Sequence, residues 1–147
     1  WITVGASGPT TKDLVASFSN YGKDVDVFSP GVEIYSTLPG GDQYGNQQGT
    51  SMASPVTAGI AALILSYYPE LSAKQVKYVI EKSVTPASTL TVTKPGSEDE
   101  EVKLNEISRT GGIVNAYEAI KLAATLKGER NPPKALPKPT LKKTKKG

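Results

Sequence analysis

The sequence contains no cysteine and no histidine among its 147 residues. The lack of cysteine excludes disulfide bonds and thiolate metal sites. The lack of histidine removes the usual general base near neutral pH and the common histidine-ligated zinc sites. Nucleophilic chemistry at a serine of this chain therefore requires a base from another polypeptide segment.

Methionine and tryptophan each occur once, and the tryptophan is the first residue. Because translation normally starts with methionine, we expect that Trp1 marks a cut in a longer protein. No signal peptide is visible, and no run approaches the roughly 18 consecutive apolar residues of a membrane span. The 37% hydrophobic and 21% charged residues are typical of a globular domain, and we predict no membrane partner.

Basic charge is concentrated at the end of the chain. Residues 127–147 hold eight lysine or arginine residues and one glutamate, so the rest of the chain is net acidic. Prolines alternate with these lysines, and a segment with so few apolar residues cannot offset its ordering entropy. We predict a disordered tail. Because no aromatic residue is interleaved to stack on bases, we predict no nucleic-acid partner.

The pattern of the remaining chain predicts an α/β fold in a single domain, residues 1–126. Residues 85–110 are polar and are interpreted as an exposed insertion. Ser72 and Gln75 fit a capping box at the start of a helix. The strands are few for such a sheet, so we expect that amino-terminal strands of the domain are missing. The predicted strands are 1–5, 25–28 and 32–35, and the segment 39–49 is predicted to be a loop or a hairpin. The predicted helices start at residue 50 and span 73–82 and 115–126.

The segment most informative about chemistry is Gly49-Thr50-Ser51-Met52-Ala53-Ser54-Pro55. It joins a glycine-rich loop to a helix of small apolar residues, which we expect to be buried on most faces. The free N–H groups and partial positive charge of a helix start favour the oxyanion formed when a serine attacks a carbonyl. An ordinary serine cap explains the pattern as well, and physics alone does not single out Ser51 from Thr50 or Ser54.

This motif closely resembles the active-site serine motif of the subtilisin-like serine proteases, the subtilases. Further segments resemble the family in the same order along the chain. They are Ile2-Thr3-Val4-Gly5-Ala6, Phe18-Ser19-Asn20-Tyr21-Gly22, Val25-Asp26-Val27-Phe28-Ser29-Pro30-Gly31, Ile34-Tyr35-Ser36-Thr37-Leu38-Pro39-Gly40 and Gly111-Gly112-Ile113-Val114-Asn115-Ala116-Tyr117. Val56-Thr57 stands where many subtilases have His-Val, a difference that concerns packing.

The resemblance implies a partial three-layer fold, a parallel sheet flanked by helices, and a serine endopeptidase that forms an acyl-enzyme at Ser51. The family's aspartate, histidine and oxyanion-hole asparagine would lie before Trp1, so we expect the isolated chain to be inactive. A non-catalytic subtilase-like binding or scaffold protein is the alternative. Thr50 and Met52 are expected to pack and cap. Tyr35 to Leu38 and the segment 39–49 are expected near the active site.

The resemblance also implies the partners and the location. We expect a peptide or protein substrate, the missing amino-terminal part of the same domain, and secretion or a place in the cell envelope. No cofactor and no metal ligand is predicted for this chain. Asp24 and Asp26 could serve a calcium ion in the intact protein, but Asp26 is better interpreted as the cap of a local turn. The acidic run 98–101 is interpreted as a solvated loop.

Overall fold

A small mixed sheet forms the centre of the molecule. The computed structural model describes residues 1–11 and 13–131. The strands are, in chain order, β1 (Val4–Ser7), β2 (Val27–Pro30), β3 (Ile34–Leu38), β4 (Gln43–Gln47), β5 (Thr85–Pro86), β6 (Thr91–Thr93), β7 (Glu101–Lys103) and β8 (Gly112–Ile113). The central sheet has the order β1-β2-β8-β5; β2 runs parallel to β1 and β8, and β5 is antiparallel to β8.

Three helices pack together on one side of this sheet. They are α1 (Thr50–Tyr67), α2 (Ala73–Lys82) and α3 (Ala116–Ala123). Val27 of β2 lies in the same hydrophobic cluster as Ile64 of α1 and Val79 of α2. The next residue, Phe28, points to the opposite face because side chains alternate along a strand. The predicted α/β fold is confirmed.

Helix α1 is less buried than its composition predicts. Its fully buried residues form one stripe, Ala53, Thr57, Ile60 and Ile64, whereas Leu63 and Tyr67 are exposed. The expectation of burial on most faces is therefore wrong within the described chain. The 18 residues of α1 also have a mean hydropathy of 1.3, which meets the length and composition of a membrane span. Since α1 packs on β1, β2, α2 and α3, we assign it to the core of the domain.

The start of α2 agrees with its sequence pattern. Ser72 Oγ accepts a hydrogen bond from the Gln75 N–H at 3.2 Å, and the Gln75 side chain accepts from the Ser72 N–H at 2.9 Å. Residues 127–131 continue along this end of the molecule, where Gln75 Nε2 donates to the Lys127 carbonyl. The predicted disorder of the basic tail falls mainly on residues 132–147, which lie outside the described residues.

Residues 85–110 are more buried than their polar composition predicts. They contain the hairpin β6–β7 and a 3₁₀ turn, Leu104–Glu106. Val92 and Leu104 pack with Phe28 in a second hydrophobic cluster on the face of the sheet opposite the helices. A few apolar residues spaced between polar ones are enough to anchor the segment. It forms part of the core and not only an exposed insertion.

Candidate active site

Ser51 is the second residue of α1 and is exposed. The N–H groups of Met52 and Ala53 donate to the Gly49 carbonyl at 3.0 and 3.2 Å. Within residues 1–11 and 13–131, no backbone carbonyl accepts from the Ser51 N–H. A free donor at the positive end of a helix stabilises negative charge on an approaching group. Ser51 thus combines an accessible hydroxyl with a free backbone donor.

Two open cavities meet at Ser51. The first, of about 680 Å³, is lined by the residues that begin the chain and by the first turn of α1, including Thr3 and Ser54. The second, of about 400 Å³, is lined by strand β3, by Gln47 at the end of β4 and by Met52. Ser51 and Pro55 line both, so the first turn of α1 separates them. A polypeptide lying across Ser51 has space on either side.

The hairpin β3–β4 lies beside Ser51 only in part. Tyr35 and Thr37 line the second cavity, as does Gln47 at the end of β4. Leu38 is not part of the lining, and within the loop and strand 39–49 only Gln47 is. The expectation that residues 35–38 and 39–49 lie near Ser51 therefore holds for the base of the hairpin and not for its tip.

Gly31 fixes the loop that carries Ser51. Its N–H donates to the Ser7 carbonyl at 3.0 Å, and its own carbonyl accepts from the Gly49 N–H at 2.8 Å. A Cβ atom at position 31 would lie 2.7 Å from Ala6 Cβ and 2.9 Å from the Gly49 carbonyl oxygen. Only glycine fits this contact without a shift of the backbone. Gly31 lies between the predicted strands 25–28 and 32–35, and the sequence contained no sign of its contact with Gly49.

The residues next to Ser51 differ in how far their side chains are buried. Ala53 is fully buried and packs against Ala6, so its small side chain serves the contact between helix and sheet. Met52 is half-buried in the wall of the second cavity, and Thr50 is half-buried in the wall of the first. Ser54 is exposed and lines the first cavity. Exposure therefore favours Ser51 and Ser54 over Thr50 as reactive groups.

Asp26 forms a buried ionic cluster away from Ser51. Its carboxylate is 1% exposed and accepts from Lys77 Nζ at 2.7 Å and from the Thr3 N–H at 2.9 Å, both at Oδ2. Arg109 Nε lies 3.3 Å from the other oxygen, Oδ1. These contacts tie β1 and β2 to α2 and to the segment before β8. The interpretation of Asp26 as a turn cap is wrong, and its oxygens already face two cations and an N–H donor.

The charges around Asp26 determine its ionisation. Burial raises the pKa of the carboxyl, but hydrogen bonds from Lys77 and the Thr3 N–H, together with the positive charges of Lys77 and Arg109, outweigh burial. The pKa of Asp26 therefore lies below its ordinary value. The hydrogen bond to Asp26 raises the pKa of Lys77 above its ordinary value, against a smaller opposing effect of burial. Nothing in the sequence spacing indicated that these side chains would meet.

The described residues contain no group of three or more acidic side chains arranged to hold a metal ion. In the acidic run 98–101, Glu100 accepts from Lys94 Nζ at 2.8 Å through both oxygens. This ion pair joins the two ends of the loop between β6 and β7. The described site therefore consists of Ser51, the helix start and the two cavities.

Comparison with known proteins gives a consistent set of relatives. The sequence model described as the subtilase family matches residues 1–112. Subtilisin NAT of Bacillus subtilis subsp. natto is 47% identical over 83 residues, which are 56% of this chain and 22% of that protein. Subtilisin DY of Bacillus licheniformis is 53% identical over 70 residues, 48% of this chain and 25% of that protein. The chain spans about a quarter or less of these relatives.

A solved structure shows the same similarity in three dimensions. A protease from Pseudoalteromonas arctica superposes with a TM-score of 0.61 at 26% sequence identity. The match covers 83% of this chain and 35% of that structure. The shared fold therefore includes most of the present chain but only about a third of the larger protein.

Proposed function

Because the chain belongs to the subtilase family, we propose that Ser51 is the nucleophile of a serine endopeptidase in the intact protein. Subtilases are serine proteases, and a peptide or protein substrate follows from that chemistry. The observation that carries the proposal is the exposed Ser51 beside its own free N–H, with open cavities on both sides. A substrate carbonyl attacked by Ser51 Oγ becomes an oxyanion, which this N–H stabilises.

The reaction needs a base that this chain does not contain. As Ser51 Oγ attacks, its proton passes to a base, which then protonates the departing amine, and water subsequently releases the acyl group. The sequence has no histidine, and no side chain of the described residues forms a hydrogen bond with Ser51. We expect the isolated chain to be inactive, because loss of one triad member lowers the rate by several orders of magnitude.

The surface of the chain supports docking of the polypeptide that supplies this base. Helix α1 exposes a stripe of small apolar residues, among them Ala58 and Ala62, and the larger Leu63. A groove of about 210 Å³ beside this stripe is lined by Ile2 and Val4 and by residues of α1 such as Ala58. Strand β1 is at the edge of the central sheet in the part of the chain that the structure describes. An apolar face next to a sheet edge is suited to another part of the same domain.

The location of the intact protein is proposed from its relatives. We expect secretion or a place in the cell envelope, since the subtilases resembled by this chain are most often exported. Detection of the full-length protein in the medium or envelope fraction of its own cells is the measurement that checks this expectation.

A fluorophosphonate probe tests the proposed nucleophile. The full-length protein is expected to be labelled at Ser51, and Ser51→Ala to remove the label. Ser54→Ala is the matched control, because Ser54 is also exposed, lies on the same helix and lines the first cavity. Labelling that persists in Ser51→Ala refutes the assignment. A folded full-length protein without any labelling would support the non-catalytic alternative.

A further inference from the structure

Two exposed tyrosines meet on the hairpin β3–β4. The ring centroids of Tyr35 and Tyr44 lie 5.9 Å apart, and the two ring planes are inclined by 21°. Tyr35 lies opposite Asn46 in the antiparallel register, and Tyr44 precedes Asn46 by two residues on the same strand. The two tyrosines are therefore diagonal neighbours on one face of the hairpin. Aromatic side chains are long enough to reach across this diagonal, and an offset stack at this separation is favourable.

The hairpin has little else to hold its two strands in register. Residues 34–47 contribute no side chain to the hydrophobic clusters in the part of the chain that the structure describes. Among the same described residues, β3 and β4 pair only with each other. An isolated two-stranded hairpin is at best marginally stable in water. The stacked tyrosines therefore help to maintain the register of β3, the strand that lines the second cavity at Ser51.

Burial does not account for the two aromatic side chains. Tyr35 is 70% exposed and Tyr44 is 59% exposed. Aromatic residues usually stabilise a fold by removing their large apolar surface from water, and these two leave most of it in contact with solvent. Both phenol groups are therefore accessible to an oxidant that approaches from solution.

Ring contact distinguishes this pair from the other tyrosines. The chain has seven tyrosines, and Tyr35 with Tyr44 is the one stacked pair among residues 1–11 and 13–131. Tyr67 and Tyr117 are similarly exposed, at 69% and 72%, but they lie on two different helices, α1 and α3. Two tyrosyl radicals couple only where their rings meet, so exposure alone does not favour coupling at these positions. This chain also contains no cysteine thiol that would compete for the radicals.

We propose that Tyr35 and Tyr44 form a site of oxidative cross-linking, at which hydrogen peroxide and a haem peroxidase join the two rings as dityrosine. Each phenol gives up one electron and its hydroxyl proton, and the peroxide takes up two electrons and two protons to become two molecules of water. The two radicals then form a bond between one Cε carbon of each ring. The hydrogen on each of these carbons moves as a proton to the hydroxyl oxygen of its own ring. The product has one new carbon–carbon bond and two hydrogen atoms fewer than the original pair.

The cross-link makes the register of the hairpin covalent. Tyr35 lines the second cavity beside Ser51, so oxidation at this site fixes one wall of that cavity. The reaction uses neither the hydroxyl of Ser51 nor a base, and the inference is therefore independent of the proposed function.

Peptide mapping of the oxidised full-length protein tests the proposal. The folded protein is treated briefly with hydrogen peroxide and a haem peroxidase, then denatured and digested with an endoproteinase that cleaves before aspartate. Cleavage before Asp42 separates Tyr35, in peptide 26–41, from Tyr44, in peptide 42–98. The wild type is expected to yield a species with the summed mass of these two peptides less two hydrogen atoms.

Two conservative variants determine which tyrosines take part. Tyr44→Phe keeps the stacked ring and removes only the hydroxyl, and it is expected to abolish the joined species. Tyr117→Phe is the matched control, because Tyr117 is also exposed but lies outside the pair. It is expected to leave the joined species unchanged.

Three results would overturn the inference. Peptides 26–41 and 42–98 that remain separate after oxidation of the wild type would show that the pair does not couple. A joined species that persists in Tyr44→Phe would assign the bond to a different residue. Cross-links between separate molecules through Tyr117, in place of the joined species, would show that exposure and not ring contact determines the coupling.

Discussion

Replacement of Asp26 by asparagine is expected to destabilise the fold by about 2–3 kcal/mol at neutral pH. Removal of one partner from a buried ion pair costs about 3–5 kcal/mol, because the remaining charge is left without compensation. Lys77 is 31% exposed and also lies 3.4 Å from Glu81, and Arg109 is 53% exposed. Both cations can therefore recover hydration after the substitution, which places the expected loss at or below the lower end of that range.

The same cluster makes the stability depend on pH in a defined direction. Since the pKa of Asp26 is lowered in the folded state, the unfolded state binds more protons near the unfolded pKa of about 3.9. The stabilisation is present in full above that value and is lost as the pH falls towards the folded pKa. Wild type is therefore expected to lose more stability than Asp26→Asn between about pH 5 and pH 3.

Urea unfolding followed by circular dichroism at about pH 7, 5, 4 and 3 measures both effects. Asp24→Asn is the matched control, because Asp24 is exposed, lies two residues away and forms no ion pair among the described residues. It is expected to change the free energy of unfolding by less than about 0.5 kcal/mol. Equal effects of Asp24→Asn and Asp26→Asn near neutral pH, or parallel pH profiles for wild type and Asp26→Asn, would refute the reasoning.

Three further substitutions test other parts of the structure by the same unfolding assay. Gly31→Ala is expected to lower the free energy of unfolding by about 1–3 kcal/mol, because its Cβ atom overpacks the contact that holds the Ser51 loop. It is also expected to reduce fluorophosphonate labelling of the full-length protein. Unchanged labelling would contradict the positioning role of Gly31. Ser72→Ala removes a helix cap and is expected to cost about 1 kcal/mol; an unchanged midpoint contradicts it. Leu104→Ala is expected to lower the free energy of unfolding by about 2–5 kcal/mol, because the side chain is buried. Leu90→Ala, at a side chain that is 44% exposed, is expected to lower it much less. Equal effects of the two substitutions would support the interpretation of residues 85–110 as an exposed insertion.

The elements with strong local signals could be predicted from the sequence. Helix α2 spans Ala73–Lys82 as predicted, since a capping box fixes its start within four residues of sequence. Helix α1 begins at Thr50, where the glycine-rich loop ends. The observed strands lie two to three residues later in the chain than the predicted ones. The predicted strands are 1–5, 25–28 and 32–35. The observed strands are Val4–Ser7, Val27–Pro30 and Ile34–Leu38. Apolar runs this short do not define a register without the neighbouring strand.

Contacts between distant segments could not be predicted. The cluster of Asp26 with Lys77 and Arg109 joins residues 51 and 83 positions apart. The Gly31–Gly49 hydrogen bond likewise depends on how β2 and α1 are placed by the sheet. Polar composition predicted an exposed segment at 85–110, but Val92 and Leu104 bury their side chains on the face of β2 that carries Phe28. Tertiary packing at a few positions outweighed the average polarity.

The two sides of Ser51 differ in how much of their wall this chain supplies. On one side, the hairpin β3–β4 forms a wall of the second cavity with residues such as Tyr35 and Gln47. On the other side, the first cavity opens along residues 1–4, next to the exposed stripe of α1. Strand β1 is covered by its own chain at Ala6, whose N–H and carbonyl bond to Ser19 Oγ and to the Ala16 N–H. Its remaining edge borders the first cavity, so a strand added there would end beside Ser51. We therefore expect the base to reach Ser51 from the side of residues 1–4.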